Sequence, residues 1–526
     1  MKKIITLFAV AALLVLSSCE KEYLDTTPTD SVSGQLIFNN TESAMVALNG
    51  IYRALYLPNS TWFGTTANTQ QNFGIVSHNM VADLMGEDYV QAEQGNGWFY
   101  FDYKYDVRSR YASAAWRCYG LWNFYYKIIT NANYVLASRE VIAGDPNKIK
   151  SVVGQALALR AYAYYYLTLF FQHTYKGNET APGVPLYTEP TLVGAPRGTL
   201  KDVYDQITAD LEEASTLLKA AKDAGVARAH KSQVDYNVAK AIQAKVFLTM
   251  ENWSGAATAA AEARQGYALL SGDAALYSGF NDIKLSSVLW GGEVIATEAI
   301  SGGWGTFFCH VDPGSTPAVQ TANGYGVTSR KCLDSWLYNQ IPSSDKRLQW
   351  WNVAVASPSS SGPNKSHAQF KYKYKNITDY TGDYIYLRAE EMLLIEAEAR
   401  VRLAQYPAAR TLLLELGAVR DPNMATRLSN RTDAATYNSN TQGAFVTIMD
   451  EVLFQRRIEL WGEAGRLFDI KRLGLGFTRD YAGTNHSQLI KTISTAPKSK
   501  EFVLPIPQQE FDGNENMDIE TDQNPL

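Results

Sequence analysis

The sequence has 526 residues, of which 46% are hydrophobic and 12% aromatic, and its formal net charge is −5. A chain of this length can bury a large core, and its slightly acidic charge balance argues against a nucleic-acid-binding protein. Beyond the N-terminus, no apolar run is long enough to cross a bilayer.

The N-terminus has the order of a secretory signal peptide. Two lysines precede an apolar run that ends at residue 16, and two serines lead from that run to Cys19. The sequence LSSC resembles a bacterial lipobox, whose cysteine is lipidated and becomes the first residue of the mature chain. The alternative is an ordinary signal peptide followed by a chance cysteine. We predict a signal peptide over residues 1–18, lipidation of Cys19 and a lipid-anchored tether over residues 19–35.

Most of the remaining chain has helical periodicity, with apolar residues three or four positions apart. The predicted helices cover residues 41–56, with Thr41 as the cap, and residues 116–139, 148–171, 201–221, 234–250, 256–269, 387–402, 408–416 and 446–472. Two of the helix pairs turn around an aromatic residue, the first at 253–255 and the second at 406–407, and resemble tetratricopeptide pairs of irregular period. The sequence therefore predicts a mostly α fold with such pairs as its scaffold.

Two regions interrupt this pattern, near residues 59–110 and 272–370. Both are rich in Asn, Gly and aromatic residues and show little sustained period. The second is too long to be one structureless loop, so we expect short strands and helices within it. We predict one domain over residues 36–526, in which these two regions are loop-rich inserts on the helical scaffold.

No catalytic or metal-binding motif is found. No two of the six histidines stand at metal-ligand spacing, and the chain lacks a nucleophile elbow, a phosphate-binding loop and a dinucleotide fingerprint after a strand. Cys309 and Cys332 could form a disulfide, although buried thiols, like Cys118, are the simpler alternative. Carboxylates that flank a glycosidic bond can come from anywhere in a chain, so the sequence neither supports nor excludes them. We predict a protein that is not an enzyme and has no cofactor, and we leave a metal site open.

The helix predicted over residues 446–472 carries the densest charge. Its residues of opposite sign stand three positions apart, as in a helix locked by its own ion pairs against neighbours: Arg456, Arg457, Glu459, Glu463, Arg466 and Asp469. We favour this interpretation over a buried acid–base cluster, because alternating charges at this spacing satisfy one another.

The same segment resembles the C-terminal signature of the SusD/RagB family, through QRRIEL, EAGR and FDIKR between residues 455 and 472. Further matches are ALALRAY at 156–162, YIYLRAEEMLLIEAEA at 384–399, LPIP at 504–507 and CEKEYLD from Cys19. These pieces stand in the order of the family and span nearly the whole mature chain, although Trp461 and Gly462 depart from many members.

The resemblance implies a mostly α fold with tetratricopeptide-like helix pairs. It also implies an outer-membrane surface lipoprotein that binds oligosaccharides and caps a SusC-like TonB-dependent transporter. On this basis we expect an oligosaccharide ligand, a transporter partner and no bond cleavage. A peptide-binding lipoprotein of the same fold and a surface glycan hydrolase are the alternatives.

The ligand site is expected in the loop-rich inserts, because the helix stripes are used for packing. Aromatic rings can stack on sugar rings, and planar polar side chains can bond neighbouring hydroxyls. The candidate residues are Trp62, Asn72, His78, Asp83, Trp98, Trp304, Asn323 and Tyr325. The alternative is that these rings pack the inserts onto the scaffold. Trp253, Trp290 and Trp461 stand in apolar, regular contexts and are expected in the core.

Overall fold

The computed structural model describes residues 38–57, 69–298, 304–322, 324–352, 367–463 and 465–526. The predicted signal peptide, the whole predicted tether with Cys19, Trp62 and Asn323 lie outside these residues. Within the described residues, no helix combines the length and the apolar character that a membrane span needs.

Long helices that pack side by side form the scaffold, which confirms the mostly α prediction. The helices of the N-terminal half are α1 (Thr41–Ala54), α2 (Ile75–Leu84), α3 (Tyr100–Tyr103), α4 (Arg117–Ala137), α5 (Pro146–Phe171), α6 (Leu200–Asp223), α7 (Tyr236–Met250) and α8 (Trp253–Ala263), of which α2 and the four-residue α3 lie in the first insert. The short helices α9 (Asp273–Leu276), α10 (Phe307–Val311), α11 (Pro317–Ala322), α12 (Tyr325–Thr328) and α13 (Ser335–Gln340) follow. The C-terminal part holds α14 (Ala389–Arg402), α15 (Tyr406–Arg420), α16 (Met424–Ser429), α17 (Ile448–Glu459), α18 (Arg466–Arg472), α19 (Gln508–Gly513) and α20 (Ile519–Asp522).

Local sequence explains where the long helices begin. Asp145 accepts hydrogen bonds from the first backbone N–H groups of α5, and Pro146 needs no partner at that position. Thr199 and Asp202 form a capping box at the start of α6. One face of α6 is buried against α5, as its apolar residues at a spacing of three or four predict.

The strands are short and pair in antiparallel fashion. They are β1 (Tyr89–Gln91), β2 (Pro182–Pro185), β3 (Arg197–Thr199), β4 (Val288–Gly292), β5 (Lys331–Leu333), β6 (Trp351–Asn352), β7 (Ala368–Gln369), β8 (Tyr384–Arg388), β9 (Phe477–Thr478) and β10 (Ser494–Thr495). One sheet has the order β1-β5-β7-β6, with Val90 opposite Cys332 and Cys332 opposite Ala368. Because β1 belongs to the first insert and β5 to the second, this sheet fixes their relative position.

The prediction of a single helix over residues 446–472 is wrong. Helix α17 ends at Glu459 and α18 begins at Arg466, and between them Gly462 and Gly465 have φ angles of 78° and 74°. Residues that carry a Cβ rarely adopt a positive φ angle of this size. In addition, a Cβ on Gly465 would lie 2.7 Å from the Phe468 ring. The chain therefore turns sharply where the periodicity suggested continuity.

Other boundaries also differ from the prediction. Asn40 caps α1 by accepting from Ser43 N, and Thr41 is already helical. The turn between α7 and α8 is made at Glu251, whose φ is 59°, so Trp253 begins α8 and is half-buried. Helix α14 begins at Ala389, because the residues before it form β8.

Several interior positions agree with the prediction. Trp290 and Trp461 are buried in the core. Cys309 and Cys332 are buried as thiols, so the alternative disulfide is not formed.

The charged residues of the C-terminal signature are buried and pair with distant segments. Glu459 accepts hydrogen bonds from Arg347 (3.0 Å), Arg388 (2.8 Å) and Arg420 (2.9 Å), and all four side chains are almost fully buried. Burial alone would raise the pKa of Glu459, but Arg420, Arg388 and Arg347 together hold this pKa well below its ordinary value. The carboxylate is therefore charged and held by three arginines.

The partners predicted from helical spacing are wrong. Their observed pairs are Glu463 with Lys371 and Arg388, Arg457 with Asp88, Arg466 with Glu87, and Asp469 with Arg456 and Arg472. The break at Gly462 and Gly465 removes this spacing only for Glu463 and Arg466. Arg456 and Glu459 still share α17, and Arg466 and Asp469 still share α18, but these residues pair with other buried partners. The broader interpretation holds, because the ion pairs lock this segment against its neighbours.

We expect Glu459→Gln to lower the free energy of unfolding by about 3–5 kcal/mol, because it leaves three buried guanidinium groups without their shared anion. Urea denaturation followed by circular dichroism measures this. Asp205→Asn removes one partner of an exposed ion pair with Lys201 and should cost less than about 1 kcal/mol. Equal small losses in both variants would contradict a structural role for the network.

Candidate functional site

Three of the predicted ligand residues, Trp98, Trp304 and Tyr325, come together in the structure. The ring centroid of Tyr325 lies 5.1 Å from that of Trp304 and 6.2 Å from that of Trp98. Trp98 belongs to the first insert, and the other two belong to the second. We call these three residues the aromatic cluster.

The backbone turns at Trp98, whose ring stays partly exposed. Gly97 and Phe99, on either side of it, have φ angles of 86° and 62°, so the chain turns at this residue. The Gln91 side chain, at the end of β1, donates to the Trp98 carbonyl (3.3 Å) and to Ser329 Oγ (2.9 Å). This amide therefore ties the loop of Trp98 to the segment that leads from α12 into β5.

Tyr325 stands on a stack of buried rings. Its centroid is 4.8 Å from that of His310, and the His310 ring stacks on Phe73 at 5.4 Å. Burial lowers the pKa of His310 to about 3, so the imidazole is neutral and its Nε2 donates to the Gln70 carbonyl. A Cβ on Gly326 would lie 2.3 Å from the Asp312 carbonyl oxygen, so only glycine allows α12 to approach α10 this closely.

The exposure of the side chains increases across the aromatic cluster. Tyr325 is 7% exposed and Trp98 is half-buried, whereas 41% of Trp304 is exposed. Burial raises the pKa of Tyr325, and the side chains of Trp98 and Asn96 next to its hydroxyl oppose this rise. The exposed Asn96 is thus a polar group at the edge of the rings.

Sequence reasoning missed several members of this surface. Tyr374 and Tyr380 line a shallow depression together with Trp304, and their rings lie 6.3 Å apart. Neither stands in a helical or strand pattern that would single it out. His310 belongs to no sequence motif, and its stacking on Phe73 and Tyr325 depends on tertiary contacts.

The other described candidates do not reach this surface. Asn72 is buried and accepts from Arg117 (3.3 Å). His78 is fully buried, shares a hydrogen bond of 2.8 Å with Tyr125, and has its pKa lowered well below the ordinary value by burial. Both His78 and Asp83 lie on α2, whose residues are all buried. Because this helix has no polar face, its sequence lacks the alternation of apolar and polar residues from which a helix is predicted.

Asp83 is a buried carboxyl inside the scaffold. Its Oδ1 accepts from the Arg466 backbone N–H at 2.7 Å. Burial raises the pKa of Asp83 to about 8, although this hydrogen bond and the charge of Lys371 act in the opposite direction. Asp83 is thus largely protonated at pH 7.

The chemistry available at the aromatic cluster is that of binding. It offers ring faces of graded exposure with a polar side chain at the edge, an arrangement suited to stacking a flat, hydroxyl-rich ligand. Across the described ranges, no group of three or more His, Cys, Asp or Glu side chains is placed to hold a metal ion.

Comparison with known families gives two matches along the chain. A SusD-like family model described as "Starch-binding associating with outer membrane" matches residues 22–248. The SusD family model, SusD_RagB, matches residues 352–526. Together the two models cover well over half of the chain. The SusD-like protein P2 of Formosa agariphila is 24% identical over 424 residues, which cover 75% of this chain and 78% of that protein.

Solved structures share the fold. A SusD-like carbohydrate binding protein from Bacteroides vulgatus superposes with a TM-score of 0.75 at 22% identity, covering 93% of this chain and 99% of that chain. Surface glycan-binding protein A from Bacteroides thetaiotaomicron superposes with a TM-score of 0.64 at 17% identity, covering 93% of this chain and all (100%) of that chain.

We expect Asp83→Asn to change how stability depends on pH. The ordinary pKa of this carboxyl is 3.8 and its folded pKa is about 8, so the folded state binds the extra proton between these values. Asp83 therefore lowers the free energy of unfolding as pH rises through this window, by at most about 1.4 kcal/mol per pH unit. Asn cannot titrate, so the variant should gain stability relative to the wild type from pH 5 to pH 9.

Urea denaturation at pH 5, 7 and 9 measures this difference directly. A difference between variant and wild type that stays constant across the three pH values would contradict a protonated Asp83.

Proposed function

The chain belongs to the SusD/RagB family, and we propose that it is a cell-surface lipoprotein that binds oligosaccharides at the aromatic cluster. We further propose that it delivers them to a SusC-like TonB-dependent transporter in the outer membrane. The observation that carries the binding proposal is the convergence of Trp98, Trp304 and Tyr325 from two separate inserts on one surface.

The geometry supports capture by stacking. The C–H face of a sugar ring can lie on the exposed Trp304, while Tyr325 and Trp98 extend the apolar surface inward. Asn96 at the edge can bond a ring hydroxyl, since an amide both donates and accepts. The stack of Tyr325 on His310 and Phe73 fixes the platform before the ligand arrives, which lowers the entropy lost on binding.

The anchor and the partner rest on the sequence and the family. The lipobox at Cys19 and the polar residues after it would attach the folded domain to a membrane surface through acyl chains. The transporter partnership follows from the family resemblance, and it implies that the ligand is handed over intact.

We expect Trp304→Ala to weaken oligosaccharide binding about tenfold or more, equivalent to at least about 1.4 kcal/mol, because it removes the most exposed stacking face. Calorimetry of the purified protein against neutral and acidic oligosaccharides, with peptide pools in parallel, measures the loss. The matched control is Tyr134→Ala on α4, since Tyr134 is 44% exposed and lies outside the cluster.

Unchanged affinity in Trp304→Ala, with an unchanged melting temperature, would exclude the aromatic cluster as the site. Binding of peptides alone would assign the protein to peptide capture. Release of shortened products during incubation would identify a hydrolase and contradict the capture proposal.

We expect Cys19→Ala to abolish labelling by radioactive palmitate and to release the protein from the outer membrane in cells without the transporter. Ser18→Ala keeps a small residue before the cysteine and should retain both properties. Membrane partition of the unlabelled Cys19→Ala protein without its transporter would contradict the lipid anchor.

A further inference from the structure

A second concave surface lies on the helical scaffold and shares no lining residue with the aromatic cluster. It encloses a cavity of about 360 Å³ between α4, the loop that follows β2, and α19. The wall on α4 is one stripe of the helix, formed by Tyr119, Trp122, Asn123, Tyr126, Thr130 and Asn133. At 1.5 Å per residue this stripe is about 21 Å long, so the groove suits an extended chain of several units.

Hydrogen bonds of the indole N–H and of the phenol hydroxyls fix the aromatic rings of this groove. Trp122 Nε1 donates to Glu510 at 2.8 Å, and the Tyr126 hydroxyl donates to the Pro185 carbonyl at 2.8 Å. The Tyr187 hydroxyl accepts from the Ala195 backbone N–H at 3.0 Å, and its ring meets that of Tyr126 edge-on at 5.8 Å. The rings are therefore fixed, while Tyr126 and Tyr187 remain partly open to the groove.

Polar side chains also line the groove. Asn123 and the exposed Thr130 lie on the α4 wall, and Asn514 follows α19 on the facing side. Side-chain amides and hydroxyls of this kind can hydrogen-bond the hydroxyls of a sugar. Glu189 adds an exposed carboxylate on the opposite wall.

The charges of the groove select the ligand class. Its lining residues include two carboxylates, Glu189 and Glu510, and no Lys, Arg or His among the described residues. Such a site repels uronates and sulfated sugars, whereas carboxylate and amide oxygens accept well from uncharged hydroxyls. From the fixed rings, the polar lining and these charges, we propose that the groove is a second binding site, and that its ligand is a neutral oligosaccharide.

Two sites on one chain have a physical consequence for a polymeric ligand. Once one segment of a polysaccharide is bound, a second segment meets the other site at high effective concentration. The protein would then bind a polymer more tightly than either site alone does, although neither site makes an additional contact.

Two variants test the groove. Tyr119→Ala removes a half-buried ring that makes none of the hydrogen bonds described above, and Thr130→Trp places a bulky ring at an exposed position of the groove wall. Tyr134→Ala, on the same helix but outside the groove, is the control. The probes are laminarihexaose, cellohexaose, xylohexaose, mannohexaose and maltohexaose, with hexagalacturonate as the acidic comparison, and calorimetry gives affinity and stoichiometry.

We expect Trp304→Ala to retain binding of at least one neutral hexaose, and Tyr119→Ala or Thr130→Trp in that background to weaken it fivefold or more. Tyr134→Ala should leave it within twofold, and hexagalacturonate should not compete. The inference is overturned if both groove variants leave every neutral hexaose within twofold of the parent affinity, or if hexagalacturonate binds in the groove.

The outcomes also separate this inference from the function proposed for the aromatic cluster. A single site that Trp304→Ala abolishes would support the cluster and overturn the groove. Loss of binding only in the groove variants would support the groove and overturn the aromatic cluster as the binding site.

Discussion

The structure depends on a set of charges that are buried and satisfied within the protein. Arg347, Arg388 and Arg420 surround Glu459, and their charges are balanced by that residue together with Asp345 and Glu390. Removing charges from water is costly, so such a set is tolerated only when every member keeps its partners. The network therefore holds only one arrangement of the segments that contribute to it.

That arrangement reaches the aromatic cluster through the second insert. Arg347 follows α13 in this insert, and Arg388 ends the strand that pairs with β4. Lys371, which pairs with Glu463, lies three residues before Tyr374 of the binding surface. The segments around the loop-rich region are thus tied to the scaffold by ion pairs and by the sheet that joins β1 to β5. A surface made largely of loops can then be rigid enough to stack a ligand.

The sequence predicted what depends on local pattern. Helices with one polar face, such as α1 and α6, were predicted within a few residues of their observed ends. It failed at the short helix α2, whose residues are all buried, so that His78 and Asp83 were expected at a ligand site and not in the core. It failed again at Gly462 and Gly465, whose positive φ angles break a helix that charge spacing alone would continue. The meeting of Trp98 with Tyr325 depends on strand pairing between distant segments, which no single-sequence pattern reports.

The two concave surfaces show how this chain divides its chemistry. Arg347, Arg388 and Arg420 are used in the interior, where carboxylates satisfy them. The accessible aromatic rings of the two surfaces instead have amides and carboxylates beside them. Neither the aromatic cluster nor the described lining of the α4 groove presents an arginine or a lysine. Recognition by ring faces and neutral hydrogen bonds depends little on ionic strength, because few charges are brought together on binding. The buried charges determine the shape of the protein, and the uncharged surface groups are left to select a hydroxyl-rich ligand.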